Sequence, residues 1–150
     1  MSKDKNRVKG ERVIFADLHL NAACSAQKVL VDAKGFKKEN VPTYLMLTVT
    51  ELSEACEADR KGKHAKFNEF TALYAGALEQ AKIDGCEDAE SLAYKVAFEN
   101  SIKDTIEDEI SDAFLRLMHF CGEYGIDIER HIQAKAAYNQ LRPARHGKAY

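Results

Sequence analysis

Residues 101–125, SIKDTIEDEISDAFLRLMHFCGEYG, decide the fold. Ile106, Ile110, Phe114, Leu117 and Cys121 recur every three or four residues, the period of an α-helix, and Leu115 and Met118 widen that stripe past half the circumference. Asp108, Glu109, Asp112 and Arg116 share the strip that remains. A helix this broadly apolar needs neighbours on several sides, and Gly125 supplies its stop. Residues 43–62, TYLMLTVTELSEACEADRKG, repeat the pattern. There Leu45, Val49, Leu52 and Cys56 form the main apolar stripe, and Glu51 and Glu54 lie opposite it among Leu47, Ala55 and Ala58.

Outward from these two stretches, helical periodicity dominates and strand-like alternation is scarce, so the expected class is all-α. A first helix is expected from about Glu11 to Ala33, stopped at Gly35, with Phe15, Leu18, Ala22, Val29 and Leu30 on its inner side. A second runs from Thr43 to about Arg60 and a third from His64 to Asp84. Phe67, Phe70, Leu73, Tyr74 and Leu78 form the buried side of the third. A fourth begins near Glu87, with Leu92, Ala93, Val96 and Phe98, and breaks near Asn100, where Ser101-Ile-Lys-Asp104 resembles a capping box. Asp127 caps the last helix, which ends before Pro143.

A chain of 150 residues suits one domain, here residues 1–150, and is short for two. Its 45% hydrophobic and 31% charged content is that of a folded, soluble protein, and a net charge of −2 offers no general attraction to nucleic acid or an anionic membrane. No apolar run is long enough for a signal peptide or a membrane span. Cys24, Cys56, Cys86 and Cys121 show neither C-x-x-C nor zinc-finger spacing, so buried free thiols and a cytoplasmic location are expected.

The chemistry centres on Glu51-Leu-Ser-Glu54 and Glu109-Ile-Ser-Asp112. Residues three apart stand on adjacent turns of one helical face, so each pair is a two-pronged oxygen donor. Such spacings arise by chance in a chain with 24 acidic residues, and Glu87-Asp-Ala-Glu90 shows it. These two pairs differ in being embedded in wide apolar helices. Four carboxylates brought together repel unless a cation compensates, and Mg²⁺, with Mn²⁺ as a substitute, is the hard ion that joins carboxylates to phosphates. A di-iron bundle would need Glu-x-x-His, which the chain lacks. Near the C-terminus, Lys135, Tyr138, Asn139 and Arg142 share one helical face, with His146 just beyond Pro143. This row of donors suits polyphosphate oxygens, although a basic helix end also simply complements the helix dipole.

Three strings in order, Leu45–Arg60, Glu107–Leu117 and Lys135–Lys148, with Tyr124-Gly-Ile-Asp127 between the last two, resemble the MazG-type nucleotide pyrophosphohydrolases. The resemblance covers roughly residues 15–63 and 101–150. It implies a MazG-like four-helix bundle whose magnesium ligands and catalytic carboxylates are Glu51, Glu54, Glu109 and Asp112. One of these, Glu54 foremost, would orient the attacking water. The implied reaction is hydrolysis of a nucleoside or deoxynucleoside triphosphate between the α and β phosphates, giving a monophosphate and pyrophosphate. Lys135, Asn139 and Arg142, with Tyr138, His146 and Lys63, would grip phosphates; His19, Asn21 and Phe36 are candidates for the base. The family also implies a homodimer or homotetramer. Residues 67–100 depart from its compact pattern and read as an inserted helical segment. The alternatives are a phosphoribosyl-ATP pyrophosphohydrolase, which shares fold and reaction type, and a non-catalytic helical module binding nucleotide or metal.

Overall fold

Among the described residues there are six α-helices and no strand. The structure is a computed structural model and describes residues 19–142. The helices are α1 (Leu20–Ala33), α2 (Val41–Arg60), α3 (Phe67–Ile83), α4 (Ala89–Ser101), α5 (Ile106–Tyr124) and α6 (Ile128–Leu141). The expected start of the first helix at Glu11, and its Phe15 and Leu18, lie outside the described residues, as does His146.

Local chemistry accounts for the boundaries. Asn40 caps α2, its side-chain oxygen accepting from Thr43 N at 2.9 Å, with Pro42 in the first turn, where a missing N–H costs nothing. The Thr105 hydroxyl accepts from Asp108 N at the start of α5, so the cap lies four residues beyond the expected box; Ser101 is instead the last residue of α4. Gly125, at φ 61°, ends α5 in the left-handed conformation that a Cβ disfavours. Asp127 caps α6 through Arg130 N, and Arg142 turns extended ahead of Pro143, since proline excludes the helical conformation from the residue before it.

The packing is pairwise. α5 lies between α2 and α1, α3 pairs with α4, and α6 rests lightly on α1. Small residues make the contacts. Ala55 and Ala58 of α2 and Ala113 of α5 are buried, as are Ala81, Ala93 and Ala97 in the α3–α4 hairpin. At Gly122 an added Cβ would stand 2.5 Å from the Cys24 carbonyl oxygen, so α1 and α5 approach through a position that only glycine can occupy.

Most of the large residues of the expected stripes therefore face away from these contacts. In α2 the buried face is Tyr44, Thr48, Glu51, Ala55 and Ala58, whereas Leu45, Val49, Leu52 and Cys56 are exposed, Val49 by 47% and Leu52 by 44%. Ala22, Val29 and Leu30 of α1 are exposed as well, and its buried residue is Cys24. In α5, Phe114 and Leu117 face outward while Glu109, Ala113 and Cys121 are buried. In the hairpin Phe67, Leu73, Leu92 and Val96 are exposed, whereas Ala93 is buried as expected and Phe70, Tyr74, Leu78 and Phe98 are half-buried. Close backbone approach favours small side chains, so the large aliphatic ones are left on the reverse of each pair. Two of the four thiols are buried as expected, Cys24 and Cys121; Cys56 and Cys86 are exposed instead.

Two crossing loops root the hairpin beside α5. Lys66 N donates to Ser101 O at 3.0 Å, Ile106 N to Lys63 O at 3.2 Å, and Ala65 N to a Glu107 carboxylate oxygen at 2.9 Å. Residues 67–101 thus form a helical hairpin projecting from the α2–α5 pair, in the segment read as inserted.

Candidate metal centre

The α2–α5 pairing places acids where helix meets helix. Glu51 falls on the buried face of α2, one turn on from Thr48 and one turn before Ala55, and Glu109 falls on the buried face of α5, one turn before Ala113. They are 5% and 7% exposed, a degree of burial that a carboxylate tolerates only with partners. Carboxylate oxygens of Glu51, Glu109 and Asp112 all lie within 4.8 Å of one another. Both E-x-x-[ED] motifs contribute to this trio.

The electrostatics follow from the crowding. Burial, and then the charges of Glu54, Asp108, Glu51 and Asp112, push the Glu109 carboxyl up to about 7. Asp112 is raised by burial and by Asp108 and Glu51, with Arg116 opposing. The compensating group within α5 is Arg116, whose Nε and Nη2 both reach one oxygen of Glu51. Five carboxylates therefore act around one point against one guanidinium, and every donor there is oxygen. That set fits a hard divalent cation and is a poor match for soft, thiolate-seeking metals.

Glu54 is outside the trio but shares its surroundings. It lines a cavity of about 210 Å³ with Glu57, Lys61, Lys63, Asp104 and Glu109. It also lines a larger one of about 560 Å³, which joins Glu109 and Asp112 to Tyr94, Phe98 and Lys103. Asp104, at φ 58°, turns the chain between the two, its N–H donating to Asp108 Oδ2 at 2.9 Å.

The other candidate residues are dispersed. Lys63 is brought to the acids. Lys135 and Asn139 line a separate cavity on α6 with Ile128 and Ile132, and the Lys135 ammonium sits 5.3 Å from the centre of the Tyr138 ring. Arg142 follows at the end of that helix. Neither cavity beside the acids includes any of these four. Asn21 fastens α1 to α6, donating to Asp127 Oδ1 at 2.8 Å and, through its backbone N–H, to Glu129 Oε1 at 2.9 Å. His19 is exposed at the start of α1, and Phe36 is exposed in the loop before α2.

Three contributors escape a reading of the sequence. Arg116 shares the acidic strip of α5, yet only the pairing with α2 makes it the partner of Glu51. Tyr94 and Lys103 enter through the hairpin, and no local spacing announces them. A second group, Asp32, His119 and Glu123, also offers ligand atoms within 4.8 Å of one another, but Lys28 bridges its two carboxylates, with Nζ 2.8 Å from Glu123, and supplies the positive charge itself.

Searches against protein-family models, curated proteins and solved structures find no match. The likeness to MazG-type enzymes accordingly rests on the three ordered motifs. The class defined by fold and site is an all-α helical protein with an acidic cluster able to hold a divalent metal ion.

Proposed function

We propose that the protein is a Mg²⁺-dependent pyrophosphohydrolase of nucleoside or deoxynucleoside triphosphates, built on a MazG-like bundle. The observation that carries this reading is the convergence of Glu51, Glu109 and Asp112, drawn from both motifs, across the α2–α5 contact.

A bound Mg²⁺ would neutralise phosphate charge and lower the pKa of a coordinated water. Glu51, Glu109 and Asp112 would hold the ion, and Arg116 keeps Glu51 oriented toward the trio. Glu54, on the shared cavity wall, would take the proton of the attacking water. Water adds to phosphorus on one side of the α–β bridge, the bridging P–O bond breaks, and monophosphate and pyrophosphate leave. Lys63, with Lys61 beside it, faces the same space and can neutralise the departing charge. The row Lys135, Tyr138, Asn139 and Arg142 grips phosphate only if α6 of another copy, or a rearranged α6, reaches the acids.

The exposed stripe Leu45, Val49, Leu52 and Cys56 supports a homodimer or homotetramer, because a second copy would cover it. A cytoplasmic site of action agrees with four free thiols. No described helix is long and apolar enough to cross a membrane.

Pyrophosphate release from a panel of common, deoxy and modified triphosphates and phosphoribosyl-ATP, with and without Mg²⁺, tests the reading and separates the two enzyme types. Binding of Mg²⁺ and triphosphate with no release from any substrate assigns the chain to non-catalytic metal-binding modules, the alternative that the acidic trio alone equally supports.

A further inference from the structure

The α3–α4 hairpin presents an aromatic surface to the acids. Tyr94 of α4 lines the same cavity of about 560 Å³ as Glu54, Glu109 and Asp112. A space of that size lies within the range of small-ligand sites. Tyr94 is 54% exposed, yet the orientation of its ring is held by three neighbours. It stands edge-on to Phe70 at 5.3 Å and to Tyr74 at 6.3 Å, and nearly parallel to Phe98 at 6.2 Å with 16° between planes. A large aromatic ring fixed on one side and open on the other is a preformed stacking platform, and little entropy is lost when a flat ligand settles on it.

The cavity is acidic toward α5 and aromatic toward α4. Glu54, Asp104, Asp108, Glu109 and Asp112 line it; Glu99 on the hairpin pairs with Lys95 at 4.0 Å, and Lys103 is the other cation of the lining. A molecule that suits such a space has a polyanionic part able to share a cation with Glu109 and Asp112, and a flat heterocycle that stacks on a phenol ring. We propose that α4 is the base-recognition element of the substrate site, with Tyr94 stacking on the nucleobase of a nucleoside triphosphate and Lys103 contacting its phosphates. This rests on the pyrophosphohydrolase reading above and adds to it a role for the inserted segment.

The test uses the full chain with Mg²⁺ and compares a nucleoside triphosphate with inorganic tripolyphosphate, which carries the phosphates and no base. In Tyr94→Ala, KM for the best triphosphate rises about 10-fold or more, the scale of a lost base–aromatic stack. kcat stays within about twofold, and inhibition by tripolyphosphate is unchanged, as expected for a group that binds the base and leaves the reacting phosphorus alone. Tyr94→Phe restores the wild-type KM. A KM unmoved in Tyr94→Ala overturns the proposal while leaving the hydrolase intact, and so does an equal loss for tripolyphosphate. A changed sedimentation coefficient in Tyr94→Ala also overturns it, by assigning the ring to a contact between chains. If the wild-type protein hydrolyses nothing, the hydrolase reading fails, and stacking is decided by equilibrium binding. Tighter binding of triphosphate than of tripolyphosphate, lost in Tyr94→Ala, sustains it; equal affinities sink it.

Discussion

Glu51 and Glu109 are buried acids facing each other across a helix contact, and the protonation of Glu109 and the pairing of Glu51 with Arg116 set what the site can do. Glu51→Gln and Asp112→Asn each keep the side-chain volume and remove one anionic oxygen donor. Both variants are expected to lose turnover while retaining the wild-type circular dichroism spectrum, and full activity in either would remove the metal cage from the mechanism. Glu109 gives a pH dependence whose sign is fixed. Its folded-state pKa of about 7 stands above the ordinary 4.5, so between those values the folded chain holds a proton that the unfolded chain has released. Metal-free stability is therefore greatest below about pH 4.5 as far as this group is concerned, and falls as pH rises toward 7. Thermal melts of the metal-free protein should show that decline, Glu109→Gln should flatten it, and Mg²⁺ should reverse it by binding the deprotonated form. A melting temperature independent of pH over that window would show that Glu109 ionises normally. Arg116→Met leaves Glu51 without its donor. Because Arg116 is partly exposed, the expected loss is modest, about 1–2 kcal/mol in denaturant titration without metal, and smaller when Mg²⁺ is present.

Among the helices, α1 and α5 meet at the least forgiving contact. A Cβ on Gly122 would stand 2.5 Å from the Cys24 carbonyl oxygen and 3.1 Å from Lys28 Cβ, and the first of these is backbone that cannot swing away. Gly122→Ala should cost roughly 1–3 kcal/mol in urea unfolding despite alanine's better helix propensity. A neutral result would mean that α1 can retreat from α5 freely. The existence of the elements was legible in the sequence because capping residues and stops are local: Asp127 and Gly125 sit where a helix begins or ends as expected, whereas the Asn40 cap starts α2 two residues ahead of the expected Thr43. The inward faces were legible only in part: Ala55, Ala58, Ala93 and Cys121 lie on sides that read as apolar and are buried. Leu45, Val49 and Leu52 mark a stripe by hydropathy, yet Ala55, Ala58 and Ala113 occupy the contact, because helix axes close in where side chains are small. Hydropathy reports that a face avoids water and carries no information about which partner covers it.

On the scale of the molecule, the apolar stripe of α2 and the outward Phe114 and Leu117 of α5 form apolar surface that the other described residues leave exposed. Sedimentation equilibrium at micromolar concentration is expected to return a dimer or tetramer, and Val49→Glu with Leu52→Glu to return a monomer with its helices intact. A monomeric wild-type protein would refute the homo-oligomer. The same experiment bears on the α6 row, since Lys135 and Asn139 lie away from the acids within one chain.

By itself the sequence determined the all-α class, the helix count implied by its caps and stops, and the two carboxylate pairs, because each depends on residues a few positions apart. Tertiary structure alone decided that Glu51, Glu109 and Asp112 converge while Glu54 stands aside, that Arg116 answers Glu51, and that Tyr94 joins the cavity. Glu51 and Arg116 are 65 residues apart, and Tyr94 belongs to a separate hairpin. Their meeting is set by how closely alanine-lined helices pack and where two loops cross, and no local periodicity encodes either.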